Sequence, residues 1–307
     1  MATVFEKYVW LIETIRRSGG INLPDLSAAW ERSELNDSGK PLNERTFFRH
    51  RNAIEERFGI EIDCDRAGAL YYIAEDDEAD DMKRWLLNFL TVENVLSESR
   101  SLKDRILLED IPSGQHFLSQ IVSAMKEGKV LGLSYSSFKD SQPRRTELKP
   151  YFVKVFNQRW YVTGPSSLHG SELRTYALDR IVSLELLPRR FVFPEDFSPA
   201  DYFAASYGIF HSDDKPQLII LRANSIQTKY LRTLPLHASQ AELTGEEAAG
   251  LGYTPGEGES YFRLYLSPTF DFVQYLLSQG SELEVVAPIS LRDELKRRLN
   301  AAAALYK

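Results

Sequence analysis

A basic, strand-forming block between Lys129 and Arg190 constrains the fold of this chain more than any other feature of its sequence. The whole chain carries a net charge of −7, yet the block holds 11 Lys and Arg against 5 Asp and Glu, a net charge of +6. Aromatic and β-branched runs over 130–193, punctuated by proline and glycine, predict a small, strongly bent sheet or barrel. A basic domain in an acidic chain indicates an anionic partner. The alternative is that basic side chains merely cover a solvated surface.

The length of 307 residues exceeds one ordinary core and predicts two or three domains. No apolar run reaches the roughly 20 residues of a membrane span, and the N-terminal residues lack the apolar segment of a signal peptide. Cys64 is the only cysteine, so an intramolecular disulfide or a multi-cysteine metal site is excluded. We therefore expect a protein of the reducing cytoplasm, associated with the nucleoid, with no membrane partner.

The sequence also lacks the spacings that catalysis or metal binding would require. The five histidines are scattered and form no metal-ligand pattern. Neither a Walker A motif nor a G-x-G-x-x-G motif occurs, and the single cysteine has no evident histidine partner. We expect no metal, no cofactor and no enzymatic activity.

Three helical segments and a β-hairpin are predicted within the first 75 residues, from apolar spacing and turn residues. The predicted helices span 3–17, 24–35 and 44–58, and the predicted strands span 61–63 and 70–73. Asn43 is the expected N-cap of the third helix and Gly59 its terminator. Three helices followed by a hairpin is the order of a winged helix-turn-helix, a DNA-binding fold.

The third helix has an outer face suited to reading DNA. At about 100° per residue, Phe47 and Ile54 fall on a buried stripe, while Arg45, Arg49 and Asn52 lie opposite. Arg pairs with guanine and Asn with adenine in the major groove, and neighbouring basic groups can meet phosphates. The predicted DNA-contacting residues are Lys40, Arg45, Thr46, Phe48, Arg49, Arg51, Asn52 and Arg66.

The alternative for this helix is an ordinary surface helix. Residues 1–75 contain 10 basic and 13 acidic residues, so the segment is not basic overall. We therefore expect DNA binding to depend on this local patch and on dimerisation, which doubles the contacts.

Strand alternation sorts the basic block into faces. Arg159 and Tyr161 share one face of their strand, whereas Trp160 points the other way, into the core. Over 174–180 the alternation predicts one face carrying Arg174, Tyr176, Leu178 and Arg180. Guanidinium groups suit phosphate and tyrosine can stack a base, so the block suits a nucleotide or a short nucleic acid. The alternative is a structural network in which the arginines pair with Asp179, Glu147 and Glu172.

Acidic residues 75–81 mark a boundary before helical segments at 82–97 and 114–127. The last ninety or so residues alternate between strands and helices and predict a compact α+β domain. The predicted strands are 218–222, 261–266 and 282–286, the predicted helices are 225–233, 270–278 and 290–305, and 245–259 is a predicted mobile loop.

Two motifs of the basic block, RWYVTG from Arg159 and RTYALDRI from Arg174, resemble the WYL domain, named for a Trp-Tyr-Leu motif. Val162 stands where that motif has Leu, a conservative departure. The segment 148–151 is similar to the family's proline-containing strand entry, and RTFFR from Arg45 is similar to its recognition-helix motif.

The resemblance implies a multidomain α+β fold. Its expected parts are a winged helix-turn-helix (1–75), a helical linker (76–128), an Sm-like β-barrel or WYL domain (129–193), a linker (194–215) and a WCX domain (216–307). The ligand candidates carried over by position are Tyr135, Arg159, Tyr161, Arg174 and Arg180, to which the loop arginines Arg144 and Arg145 are added.

The resemblance further implies a homodimeric transcription regulator, with repression favoured, of the kind that often controls phage-defence or DNA-damage genes. Its expected partners are a double-stranded DNA operator, a nucleotide or single-stranded nucleic-acid ligand, and a second copy of itself. The alternative is a nucleic-acid-binding accessory module that modulates a partner enzyme, in which the N-terminal domain only dimerises.

Overall fold

The structure, a computed structural model, describes residues 3–36, 38–65, 69–73, 114–138, 140–170 and 172–306. The chain divides into two compact units, residues 1–109 and 110–307. The predicted helix over 82–97 and the predicted DNA contact Arg66 lie outside the described residues. Within those ranges, none of the helices combines the length and the apolar character that crossing a bilayer requires.

The first unit contains helices α1 (Val4–Ser18), α2 (Leu23–Glu31) and α3 (Glu44–Phe58). The Asn43 side chain accepts a 2.8 Å hydrogen bond from the Thr46 amide, and Gly59 ends α3 with φ 63°, as predicted. Helix α2 ends four residues earlier than predicted, where the side-chain amide of Asn36 donates to the Trp30 carbonyl at 3.2 Å and the chain turns.

A hairpin of β1 (Ile62–Asp65) and β2 (Leu70–Ile73) follows α3, close to its predicted position. Ile21 pairs with β2 through an isolated antiparallel bridge to Tyr71. The Ile21 amide donates to the Tyr71 carbonyl at 2.9 Å, and the Ile21 carbonyl accepts from the Tyr71 amide at 2.8 Å. The Tyr71 ring packs 4.6 Å from the Phe47 ring, centroid to centroid. Phe47 and Ile54 are 0% exposed, which confirms the buried stripe predicted for α3.

The second unit opens with a 3-10 turn (Gln115–Phe117) and α4 (Leu118–Glu127), where a helix was predicted. Its strands are β3 (Lys129–Tyr135), β4 (Arg144–Leu148), β5 (Phe152–Phe156), β6 (Arg159–Pro165), β7 (Leu173–Ala177) and β8 (Ile181–Arg190). They form two three-stranded antiparallel sheets, β4-β3-β8 and β5-β6-β7.

The pairing of these strands does not show the closed Sm-like barrel that we expected. A single bridge between Leu148 and Ser166 joins the two sheets in the described part of the chain. Pro150 interrupts the ladder after β4, since proline cannot donate, and the 3-10 turn Leu178–Arg180 separates β7 from β8. A shared core that includes Ile121 of α4 and Val162 of β6 holds both sheets together.

Residues 194–215 pack against neighbouring elements on both sides. The segment contains a short helix, α5 (Pro199–Phe203). The Phe152 ring of β5 lies 6.1 Å from Phe197 and 5.8 Å from Phe203, centroid to centroid. Further on, Ser206 bridges to Ser267 and the Ser267 amide donates to the Ala205 carbonyl at 2.8 Å. The segment therefore contacts the elements before and after it.

The rest of the unit is the predicted α+β domain. Its elements are β9 (Gln217–Ala223), α6 (Ser225–Thr233), β10 (Ala241–Glu242), α7 (Gly245–Gly250), β11 (Ser260–Leu266), α8 (Phe270–Ser278), β12 (Leu283–Ala287) and α9 (Ile289–Ala304). The strands form one antiparallel sheet in the order β10-β11-β9-β12. Leu221, Phe262 and Phe272 are central to a core between this sheet and α6, α8 and α9.

The predicted mobile loop over 245–259 is wrong in its first part, where α7 forms. Thr244 and Glu247 make a reciprocal capping box, with hydrogen bonds of 2.8 and 3.2 Å. Ala248 of α7 is 1% exposed and packs with Ile220 and Tyr261, which point away from the main core. Helix α7 therefore covers part of the sheet face opposite the three longer helices.

Candidate ligand site and candidate nucleic-acid face

Arg159 and Asp179 form a close ion pair at the start of β6. Their Nη2 and Oδ2 atoms are 2.5 Å apart, and the Asp179 side chain is only 9% exposed. The pair leaves Arg159 Nε and Asp179 Oδ1 buried and without hydrogen-bond partners within the described residues. Buried polar atoms are nearly always paired, because an unpaired one loses its hydration without replacement. These two atoms therefore mark a place where a polar ligand would gain contacts.

Arg180 follows Asp179 directly in the chain and lies over the ring of Phe138. Its guanidinium carbon lies 3.6 Å from the centroid of Phe138, and its Nε is also buried without a partner in the described part of the chain. The Tyr135 hydroxyl accepts a 3.3 Å hydrogen bond from the Ala177 amide. Burial raises the pKa of Tyr135, and the adjacent Arg180 opposes that shift. Tyr135 therefore stays protonated beside the guanidinium group.

Tyr161 completes this group of side chains. It is 7% exposed, and burial raises its pKa while Arg159 opposes and Asp179 reinforces the shift. Arg159 and Tyr161 are two residues apart on β6 and therefore share a face of that strand, and the Arg180 charge also opposes the pKa shift of Tyr161. We name the group formed by Tyr135, Arg159, Tyr161, Asp179 and Arg180 the arginine cluster. Four of the predicted ligand residues thus come together around one buried carboxylate.

The other three predicted ligand residues lie elsewhere. Arg174 pairs across the sheet with Gly164, three positions along from the Tyr161–Ala177 pair, and its side chain forms a 2.5 Å ion pair with Glu172. Arg144 is opposite Tyr135 in β4 but is held by Asp140 at 2.5 Å. Arg145 is exposed and lies opposite Ser134.

The single face predicted for residues 174–180 is wrong. Strand β7 ends at Ala177 and the chain enters the 3-10 turn Leu178–Arg180, so the two-residue alternation stops there. Tyr176 turns into the core, where its hydroxyl lies 2.6 Å from Ser166 Oγ, and Leu178 is 0% exposed. Arg180 consequently joins Arg159 rather than Arg174.

The alternative network of structural ion pairs is present in part. Arg159 pairs with Asp179 and Arg174 with Glu172, as that alternative specified. Glu147 pairs instead with Arg189 of β8. Phe138, an exposed ring in the loop after β3, was not predicted as a site residue. The sequence feature that could have indicated it is an aromatic residue three positions after Tyr135. Strand alternation predicted correctly that Trp160 packs toward the core.

The first unit presents the predicted outer face of α3. Arg45, Arg49 and Asn52 are exposed on one side of the helix. Phe48 is only partly buried, and its ring lies 5.4 Å from Phe47 and 6.4 Å from Tyr71. The outer face of α3 therefore carries two arginine side chains and one asparagine side chain that do not pack in the core. The partly buried ring of Phe48 borders this face.

The remaining predicted DNA contacts differ in exposure. Lys40 is exposed in the turn before α3, and Thr46 is partly exposed in its first turn. Arg51 is partly buried, and its Nε atom has no partner within the described residues. In the same ranges, no group of three or more His, Cys, Asp and Glu side chains is arranged to hold a metal ion.

Comparison with known proteins assigns the two domains of the second unit. Residues 116–186 match the WYL domain, and residues 228–303 match the WCX domain. The chain therefore contains a WYL domain followed by a WCX domain, and the WYL domain is the one that its sequence motifs resembled. No curated protein sequence matches the chain significantly.

Two solved structures are among those that match this chain at low overall similarity. Proteasome accessory factor B/C (PafBC) of Arthrobacter aurescens shares 17% sequence identity over 98% of this chain, with a TM-score of 0.40. The chain spans 47% of the length of that protein. A CRISPR Cas-related protein shares 14% identity over 89% of this chain and 75% of its own, also with a TM-score of 0.40.

Proposed function

We propose that this chain is a DNA-binding transcription regulator whose WYL domain binds an anionic ligand, a nucleotide or a single-stranded nucleic acid, at the arginine cluster. The observation that carries the ligand proposal is a set of three buried polar atoms, on Arg159, Asp179 and Arg180, that have no hydrogen-bond partner among the described residues. They supply two guanidinium donors and one carboxylate acceptor, and this combination suits a ligand with both phosphate and sugar or base groups.

The aromatic members of the site support a nucleotide over a simple anion. Phe138 is 83% exposed although Arg180 stacks on it, so one face of the ring remains open to a base. Stacking on aromatic rings is the usual means by which proteins hold single-stranded bases without strict sequence preference.

The DNA-binding proposal rests on the exposed Arg45, Arg49 and Asn52 of α3 and on the hairpin that follows this helix. Together they have the order and the outward-facing side chains of a winged helix-turn-helix. We further infer a homodimer that represses its target. The dimer is inferred because a single, slightly acidic N-terminal domain offers few phosphate contacts and two copies would double them. Ligand binding would then change operator affinity by shifting the population of dimer geometries.

Two measurements on the full chain test this function separately. Retention of the DNA upstream of its own gene in a gel shift should be lost in Arg49→Ala and kept in Arg57→Ala, whose arginine lies outside the predicted contacts. Equal retention by both variants would remove α3 from the interface. If the wild-type chain retains no DNA, the accessory-module alternative gains support.

Ligand binding is tested with a fluorescent, 5′-phosphorylated oligothymidylate. Arg159→Gln should weaken its binding about tenfold or more, because one charge-assisted hydrogen bond is lost. Arg189→Gln, a change of the same kind on the same domain, should leave binding nearly unchanged. An equal loss in both variants would show that only the overall charge matters.

A further inference from the structure

A pocket of about 200 Å³ lies beside the first turns of α3, within the first unit. Its walls come from α1, α2, the turn that precedes α3 and α3 itself. The side chains relevant here are Lys7, Trp10, Trp30, Lys40, Arg49 and His50.

The charged side chains in the described wall of this pocket are all basic. Lys7, Lys40 and Arg49 line it, and no Asp or Glu is among the described residues of its wall. This contrasts with residues 1–75 as a whole, where acidic residues outnumber basic ones by 13 to 10. The pocket is therefore a local concentration of positive potential in a slightly acidic domain, which attracts anions.

His50 gives an independent indication of a missing partner. Its side chain is 7% exposed, and its Nδ1 atom is buried without a hydrogen-bond partner within the described residues. The Tyr8 ring packs edge-on against the imidazole at 5.2 Å and supplies no such partner. Burial, followed by the charges of Arg49 and Lys7, lowers the pKa of His50, so the ring favours its neutral form. An anion in the pocket would reverse the effect of those charges.

We propose that this pocket binds one phosphate group, which Lys7, Lys40 and Arg49 neutralise and to which His50 offers its unpartnered nitrogen. Hydroxyl and amide groups of Thr46 and Asn43 in the same wall suit the several oxygens of a phosphate. The indole rings of Trp10 and Trp30, in T-shaped contact at 5.0 Å, form an apolar wall against which a sugar can lie.

The phosphate can come from the DNA backbone or from a free nucleotide. The DNA source rests on the proposed function, because Lys40, Thr46 and Arg49 are also predicted DNA contacts. The free-anion source does not depend on DNA binding. Both sources present a phosphate group to the pocket, and the experiments below distinguish a DNA phosphate from a free anion.

The first experiment titrates the full chain, labelled with ¹⁵N-histidine, with sodium sulfate at constant ionic strength and follows the imidazole signals by NMR. Sulfate is chosen because its charge is constant between about pH 6 and 8, where histidine titrates. We expect saturable shifts of the His50 signals and a raised His50 pKa, and therefore tighter binding as pH falls. Lys7→Gln should weaken binding about tenfold, and Arg57→Gln, a matched loss of charge from α3, should not.

His50→Phe identifies the His50 signals and removes the unpartnered nitrogen while keeping a ring. Should that variant fail to fold, Lys7→Gln still tests the pocket, because Lys7 is only partly buried. The absence of any saturable His50 shift with either sulfate or DNA would overturn the proposal. An equal loss of sulfate binding in Lys7→Gln and Arg57→Gln would also overturn it.

The second experiment measures DNA binding across salt concentrations. If the phosphate belongs to DNA, Lys7→Gln should weaken binding to specific and unrelated duplexes alike and lower the salt slope by about 1. If Lys7→Gln leaves DNA binding unchanged while sulfate still shifts His50, the ligand is a free anion. A chain that binds no DNA would refute the proposed function, yet the sulfate titration would still decide the pocket.

Discussion

The carboxylate of Asp271, in the first turn of α8, accepts the backbone amide of Ile209 at 2.7 Å and that of Phe210 at 3.3 Å. Gly208 makes this approach possible: its φ is 87°, and a Cβ atom there would lie 2.1 Å from Asp271 Oδ2. One side chain of the WCX domain thus fixes the segment that arrives from the WYL domain.

Asp271→Ala should lower the free energy of unfolding of the second unit by about 1–3 kcal/mol, because two backbone donors lose their acceptor. Asp271→Asn keeps an oxygen acceptor and should cost less. Urea denaturation of both variants measures the difference. Equal losses would show that the negative charge, rather than the acceptor, is what the segment requires.

Asp179→Asn should weaken binding of an anionic oligonucleotide by the arginine cluster, because the ligand loses a charged acceptor and Arg159 loses the carboxylate that orients it. The same change should cost about 1–3 kcal/mol of stability, because a largely buried ion pair is broken. Fluorescence anisotropy and urea denaturation report the two effects. Tighter binding in Asp179→Asn would instead show that this carboxylate only competes with the ligand for Arg159.

Phe138→Leu should weaken oligonucleotide binding about two- to fivefold, which corresponds to the loss of an exposed cation–π contact and a stacking surface. Stability should change little, since the ring is 83% exposed. Tyr306→Leu removes an equally exposed aromatic ring, 91% exposed, far along the sequence. Anisotropy titrations that give the same affinity for both variants would contradict a role for Phe138.

Thr244→Ala removes the capping box of α7 and should cost about 0.5–2 kcal/mol locally. Amide exchange over 245–250 should therefore become faster. Thr3→Ala removes the equivalent capping box of α1, in which Thr3 and Glu6 pair, and serves as the control in the other unit. If amide exchange in α7 is unchanged in Thr244→Ala, packing of Ala248 alone would be sufficient to hold the helix.

The ion pair between Arg232 and Glu242 should make the WCX domain sensitive to acid. Its two hydrogen bonds, of 2.8 and 2.7 Å, are the main cause that lowers the pKa of Glu242. A depressed carboxyl pKa contributes stability above the unfolded value of about 4.3, and this contribution is lost as pH falls through the folded value. The contribution is small, because both side chains are substantially exposed.

Thermal unfolding at neutral pH and at about pH 3 measures this effect against Arg232→Gln. The wild-type chain should lose more stability on acidification than the variant does. Parallel losses in the two proteins would show that other carboxylates dominate the acid response.

Helix and strand positions were largely predictable from the sequence, because local signals fix them. The predicted 44–58, 225–233 and 270–278 coincide with helices α3, α6 and α8. Helix α7 was missed because its six residues are too short for apolar periodicity and lie in a stretch rich in Gly and Glu. The capping box at Thr244 and Glu247 was the available signal.

The candidate ligand site was predictable in its residue types but not in its grouping. Alternation placed Arg174 and Arg180 together, whereas the chain leaves the strand at Ala177. Long-range hydrogen bonds fix that departure: the Ala177 amide donates to Tyr135 and the Ser136 amide donates to the Arg180 carbonyl at 3.0 Å. Such contacts join residues more than forty positions apart, and no local pattern encodes them.

The aromatic packing of residues 194–215 has a consequence for how the two domains can be rearranged in evolution. A WYL domain separated from this segment would leave Phe152 without Phe197 and Phe203, and a WCX domain separated from it would lose the partners of Ser267 and Asp271. Gene rearrangements that divide the chain here would yield two fragments with bare apolar surface. The WYL and WCX domains should therefore be exchanged between proteins during evolution as one pair, with the first unit as the replaceable part.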